Sequence, residues 1–339
     1  MDHYAPITRQ RFLPPCLNGG PDALSLGAKQ KIAQWSRPNA RRFLFEIAKS
    51  WLVIAVAIAV AIKADSVLVT ALAILVVAGQ QLKFGLLLHE QAHYLGLKSR
   101  WGDLIADVLV CYPLIFVSVK NYARVHLAHH KNYFVSGDPD LVRKSGADWN
   151  FPMGRWRLLR LFLKDLLGLN LIQTVIGKNV REGTVEIKRR GPDYPWLRIV
   201  YLASWAAIFT VTQSWSIFFL YWLLPLVTIL QAFIRLGAIC EHVYIANAPL
   251  ETSTAIILPT WWESLIFPHL NFFYHVYHHY FPNVPFSRLP DVHALFQGEG
   301  LVREECVFTS ILSYCQFINK PIAQDASPAA ADTAQAASF

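Results

Sequence analysis

Residues 43–88 read FLFEIAKSWLVIAVAIAVAIKADSVLVTALAILVVAGQQLKFGLLL, and this stretch decides the fold class. It holds two apolar segments, 43–64 and 67–88, each near the ~20 residues that an α-helix needs to cross the hydrocarbon core of a bilayer. Only Asp65 and Ser66, after Ala64, separate them, so the pair predicts a tight helical hairpin that enters and leaves on one side. The pattern recurs at 197–213 and 216–240, predicting four spanning helices. Segment 104–118 is apolar but only about fifteen residues long, too short to span comfortably, and it contains Pro113. It is expected to lie in the interface or to re-enter. The expected fold is all-α: an integral membrane protein with four transmembrane helices in two hairpins and a helical cap. That domain fills residues 1–320; 321–339, rich in Ala, Ser, Asp and Gln, is expected to be a disordered tail.

Composition agrees. Of 339 residues, 54% are hydrophobic and only 16% charged, too apolar for an ordinary soluble domain. The net charge of +8 comes from scattered basic residues, which orient a membrane protein as readily as they bind nucleic acid, and no nucleic-acid partner is predicted. Under the predicted topology only Lys63 of the 31 Lys and Arg residues faces the opposite side. The cap and both termini are therefore expected in the cytoplasm. No cleaved signal peptide is predicted, since Pro14-Pro15 and Asn18-Gly19-Gly20-Pro21 form loops. Five cysteines with no C-x-x-C pair suggest neither a disulfide framework nor a thiolate zinc site.

Three histidine clusters carry the chemistry: His89 and His93 in HEQAH, His126, His129 and His130 in HLAHH, and His275, His278 and His279 in HVYHH. On a helix, residues three and four apart share a face, so each cluster aims its imidazoles one way. The topology puts the first box just beyond the second spanning helix and the others on the same side, where all three can converge. Eight imidazoles exceed what one four-coordinate zinc uses, and nitrogen donors suit iron, so two ions are the economical reading.

HEQAH is also H-E-x-x-H, the zinc-peptidase pattern in which Glu90 would activate water. An intramembrane metalloprotease would need a third ligand, for which the predicted spans offer no aspartate, and it would leave two boxes without a role. A haem bundle would set its ligands within facing spans, and a metal transporter would want polar groups near the midplane.

With its three boxes, the chain resembles the membrane fatty-acid desaturase and hydroxylase superfamily over roughly residues 40–300. The likeness extends to Asp138-Pro139-Asp140, to the Arg235-x(5)-Glu241-His242 element found in a bacterial subgroup, and to NFFYHVYHHYFP at 271–282, similar to NxxYHxxHHLFP. The resemblance implies a non-haem di-iron centre using dioxygen, with His242 as ninth ligand and Asn271 able to hold a water near one iron, or to cap a helix. Metal-bound imidazoles usually donate their second N–H to a carboxylate, and Glu90, Asp138, Asp140, Glu241 and Asp291 adjoin the boxes. His3, His269 and His293 are expected bystanders. Trp261, Trp262, Phe267, Phe272 and Phe273 suit an acyl channel or, more commonly, membrane interface and core.

The implied substrate is a fatty-acyl lipid, with desaturation favoured and hydroxylation, ketone formation or oxidative decarboxylation as alternatives on the same scaffold. With neither an H-P-G-G haem motif nor a cysteine cluster, electrons are expected from an external ferredoxin, rubredoxin or cytochrome b5 type donor. Arg155, Arg157, Arg160, Lys188, Arg189 and Arg190 either steer such a donor or simply follow the positive-inside rule.

Overall fold

A computed structural model describes residues 10–322 apart from 116, 145, 170 and 172–193. His3, the 323–339 part of the expected tail and Lys188-Arg189-Arg190 lie outside the described residues. Among those described there is no β-strand, only two isolated bridges, Leu17 with Val302 and Ile257 with Phe308. The all-α expectation holds.

After α1 (Leu26–Trp35), α2 (Ala40–Ala64) starts where the Asn39 side chain accepts the Arg42 N–H at 3.1 Å, a standard N-cap. It stops at Asp65, which turns left-handed (φ 44°), and Ser66 leads straight into α3 (Val67–Ala92). These helices have 25 and 26 residues and pack along each other. Glu46 of α2, almost fully buried, meets Lys83 of α3 at 2.6 Å and also takes Arg42 at 2.6 Å. A charge left unpaired in such a place would be strongly destabilising. Beyond α3, α4 (Gly102–Ala106) continues as one π turn to Cys111, much too short to cross a bilayer.

Next come α5 (Val119–Lys131), α6 (Pro139–Lys144), α7 (Arg155–Leu166), α8 (Pro195–Val211) and α9 (Trp215–Glu241). α9 is loosened by a π turn at Phe219–Leu223 and broken at Thr228, just after Pro225 has removed a backbone donor. Trp222 from that π turn stacks on Trp51 of α2 (5.4 Å, 6°), and its carbonyl accepts from Gln81 of α3 at 2.9 Å. With 27 residues α9 joins α2 and α3 as a helix long and apolar enough to span. α8 is apolar but has only 17 residues, or ~26 Å at 1.5 Å per residue. Three of the four expected spans are thus helices long and apolar enough to cross a bilayer, and the fourth, α8, is an apolar helix of 17 residues, as many as its expected segment, bounded by Pro195 and by left-handed Gln213 (φ 56°).

The remainder is built from short helices: α10 (Leu250–Ser253), α11 (Trp261–Ile266), α12 (His275–Tyr280), α13 (Leu289–Gly298) and α14 (Ile311–Asn319). They gather at the end of the long helices where α3 and α9 finish, around Tyr277, Phe296 and Tyr314, all fully buried.

Candidate metal centre

The histidines sit where helices end. The expectation that the first box lies beyond α3 is corrected: α3 runs on through it, with His89 in its last turn and His93 as the capping residue, because no helix-breaking residue interrupts HEQAH. α5 carries His126, His129 and His130 on one side, α12 carries His275, His278 and His279, and His242 caps the end of α9.

The rings converge as two groups. His89, His93, His126, His130 and His278 each place a nitrogen within 4.8 Å of all the others, and His129, His242 and His279 form a second such set. Within the first, Nε2 of His126 stands 2.8 Å from that of His93 and 3.0 Å from that of His130, which is 3.0 Å from His278 Nε2. In the second, His242 Nε2 lies 3.3 Å from His129 Nε2 and 3.1 Å from His279 Nε2. His275 joins this second set, its Nε2 3.1 Å from His242 and 3.2 Å from His279. The three boxes and His242 are thus brought together; His269 and His293 belong to neither group.

This arrangement fits metal ions. Nitrogens bonded at about 2.1 Å to one ion and at right angles to each other stand about 3.0 Å apart, the separation seen here. Both nitrogens of buried His89 and Nδ1 of buried His275 have no hydrogen-bond partner among the described residues. Burial, reinforced by neighbouring imidazoles, holds His126, His130, His242, His278 and His279 well below the ordinary histidine range and His275 at about 3. Neutral imidazole is the form that ligates.

The far nitrogens are held more variously than adjacency suggested. Asp138 meets His129 Nδ1 at 2.9 Å while accepting backbone N–H groups of Phe134 and Asp140, each at 2.8 Å. His242 Nδ1 meets no carboxylate among the described residues, but Thr254 Oγ1 at 3.0 Å and Tyr133 Oη at 3.3 Å. Neither hydroxyl was anticipated. Tyr133 lies one helical turn after His129 and was detectable in principle, whereas Thr254 is brought in from a distant segment. Glu90 accepts the Phe286 N–H at 3.2 Å, tying the first box to the chain after the third. Asp140 pairs with Lys144 (3.1 Å) and Arg143, and Asp291 with Arg288 (2.9 Å). Asn271 is left-handed (φ 64°), gives its side-chain N–H to Phe286 O at 3.3 Å and does not cap a helix. His293 is buried against Tyr277 Oη at 2.8 Å, bracing α12 from behind.

Between α3, α9 and the 267–273 segment lies a cavity of about 210 Å³. Leu82, Gly85, Leu86, Ile234 and Phe267 give it apolar walls; His89, His126, His129, His242 and His275 close one end, and Glu241, Asp140 and Lys144 also border it. Of the five aromatic residues considered for a channel, Phe267, Phe272 and Phe273 line it, whereas Trp261 is 79% exposed on α11.

A match to the family described as fatty acid desaturase covers residues 65–303, an interval holding all three boxes and His242. The chain belongs to the fatty acid desaturase family. No curated protein matches it. Membership of the desaturase family makes this an oxidoreductase of lipids and a membrane protein, and together with the two imidazole groups it points to bound iron.

Proposed function

We propose that this desaturase-family protein is a membrane-bound, non-haem di-iron enzyme that introduces a double bond into a fatty-acyl chain. It consumes dioxygen and takes two electrons from a separate ferredoxin, rubredoxin or cytochrome b5 type protein. The observation that carries the reading is the junction of two buried imidazole sets with one apolar cavity. His89, His93, His126, His130 and His278 would hold one iron and His129, His242, His275 and His279 the other. Bound there, the pair would supply dioxygen activation and hydrogen removal from an unactivated C–H bond.

The residues of the chain position and exclude. Leu82, Leu86, Ile234 and Phe267 favour an acyl segment over water, and the neighbouring rings limit how it lies against the histidines. Asp138, Thr254 and Tyr133 fix ring orientation at His129 and His242. Engagement of Glu90 with the Phe286 N–H argues against the zinc-peptidase reading, since a water-activating carboxylate must face the metal. We further propose that α8 is the fourth span, completing two hairpins, and that the histidine side faces the cytoplasm of a bacterium, consistent with the basic residues near it.

The reaction type is tested by turnover under labelled dioxygen with lipid profiling of an expressing host. The expected product has lost two hydrogens and carries no label. A product with one labelled oxygen would make the enzyme a hydroxylase or ketolase, and a chain one carbon shorter a decarboxylase. A single tightly held zinc, with no gain on adding iron, would return the peptidase reading.

A further inference from the structure

α7 has three faces rather than two. Leu161 and Asp165 are buried and Leu158 and Phe162 half-buried on the side packed against α9, where Asp165 pairs with Arg235. About 100° per residue around the axis, Trp156, Leu159, Leu163 and Leu166 form an exposed apolar stripe, with Trp156 70% and Leu163 49% exposed. Between stripe and buried side, Arg157, Arg160 and Lys164 project together and border one pocket with Trp156. The carboxylate at that pocket, Asp148, reaches Arg157 at 3.0 Å, and both partners are about half exposed.

A helix on a water-facing surface needs one apolar side, toward its own protein. A second apolar stripe, flanked by cations, is the signature of a helix lying in a membrane interface, with leucines in the acyl boundary and basic groups at headgroup depth. Contact with α9 sets α7 at that level, because Arg235 lies near the Glu241 end of a helix long enough to span. We propose that Arg157, Arg160 and Lys164 form a binding site for the phosphate of anionic phospholipid headgroups, with the Trp156–Leu166 stripe seated in the edge of the hydrocarbon. An acidic electron donor would use the same cations but leaves the adjoining stripe exposed; an anionic bilayer accounts for both. The site lies against the helix that delivers His242.

The test uses the full-length protein in mixed micelles of equal phosphatidylglycerol and phosphatidylcholine, with retained lipid measured by native mass spectrometry. The native protein is expected to retain phosphatidylglycerol preferentially, and R157Q/R160Q/K164Q to lose that preference at least about tenfold, since each basic residue near an anionic surface adds to binding. R157K/R160K should keep it. Unchanged retention in the triple variant would overturn the proposal. So would displacement of the lipid by millimolar inorganic phosphate, which would make this a free-phosphate site, or a raised KM for the electron donor with lipid retention unchanged, which would make it the donor's dock. Independently of how the triple variant folds, a fluorophore at L163C in otherwise native protein should be quenched by lipid-borne and not by aqueous quenchers; the reverse would sink the proposal.

Discussion

Asp138 and His129 form a closed pair: the carboxylate sits 2.9 Å from Nδ1, fully buried, and its remaining lone pairs are taken by backbone N–H groups of the turn that follows α5. The ring must then present Nε2 to the second imidazole set, 3.3 Å from that of His242. Asp138→Asn keeps the shape and removes the charge. Iron affinity is expected to fall about 10–100-fold, measured as iron retained against graded chelator, with thermal melting as a control for the lost turn contacts. Native retention would mean that His129 needs no such partner.

His242 is the milder counterpart, because its Nδ1 meets hydroxyls rather than a carboxylate. A neutral hydrogen bond is worth about 1 kcal/mol, so Thr254→Val or Tyr133→Phe alone should weaken iron retention by less than about tenfold. Either hydroxyl can replace the other, so the double variant should lose more than the product of the two single effects. Strict additivity in the chelator titration would show that only one of them matters.

Spacing explains why the boxes were legible in sequence and their supports were not. Imidazoles three and four residues apart share a helix face whatever surrounds them, and His126, His129 and His130 behave accordingly. A carboxylate next to a histidine carries no such guarantee: Glu90 leaves α3 toward Phe286, and Asp140 turns to Arg143 and Lys144. Asp138 succeeded because the turn after α5 folds back on its own helix. Thr254 joins His242 only through tertiary packing. The apolar segments were read within a few residues of α2, α3, α8 and α9, but the Thr228 break in α9 was not foreseen. Of α7 only the cations Arg155, Arg157 and Arg160 were read, as charges that steer a donor or hold orientation; its three faces emerge only once the buried side is known.

The cavity offers a test of how substrate reaches the histidines. A Cβ at Gly85 would meet nothing within 4 Å, so Gly85→Leu should fold and melt like the native protein, and replacing a helix-interior glycine is if anything stabilising. Its side chain would nevertheless fill much of the 210 Å³ space beside His89. Iron content should be unchanged while kcat/KM for the acyl substrate drops at least about tenfold, the cost of a misplaced reacting segment. Undiminished turnover would move the substrate path elsewhere. Ala at the same position, adding one carbon, should fall between the two.

Removing the iron should loosen the part of the fold that carries the histidines. The proposed ligands come from the ends of α3 and α9 and from α5 and α12, segments joined by long connections, where nine imidazoles crowd together and His89 has no hydrogen-bond partner among the described residues. Ions that bind only the folded state stabilise it by mass action, about 2.7 kcal/mol per site at a free concentration of 100 Kd, so chelation should lower the melting temperature by several degrees. The loss should be local. Proteolysis should speed up between α5 and α6 and around α12, while α2, which carries none of the clustered histidines, and the part of α3 held to it by the Glu46–Lys83 pair stay protected. Acid should act in the same direction, because burial keeps these imidazoles neutral in the folded protein, whereas segments that open take up protons once the pH falls below the ordinary histidine value of about 6.5. Iron release and faster cleavage should therefore appear together as the pH is lowered, and returning iron at neutral pH should reverse both. A melting temperature and cleavage pattern indifferent to iron would mean that the histidine cluster is held by packing alone, and that the metal contributes chemistry without structure.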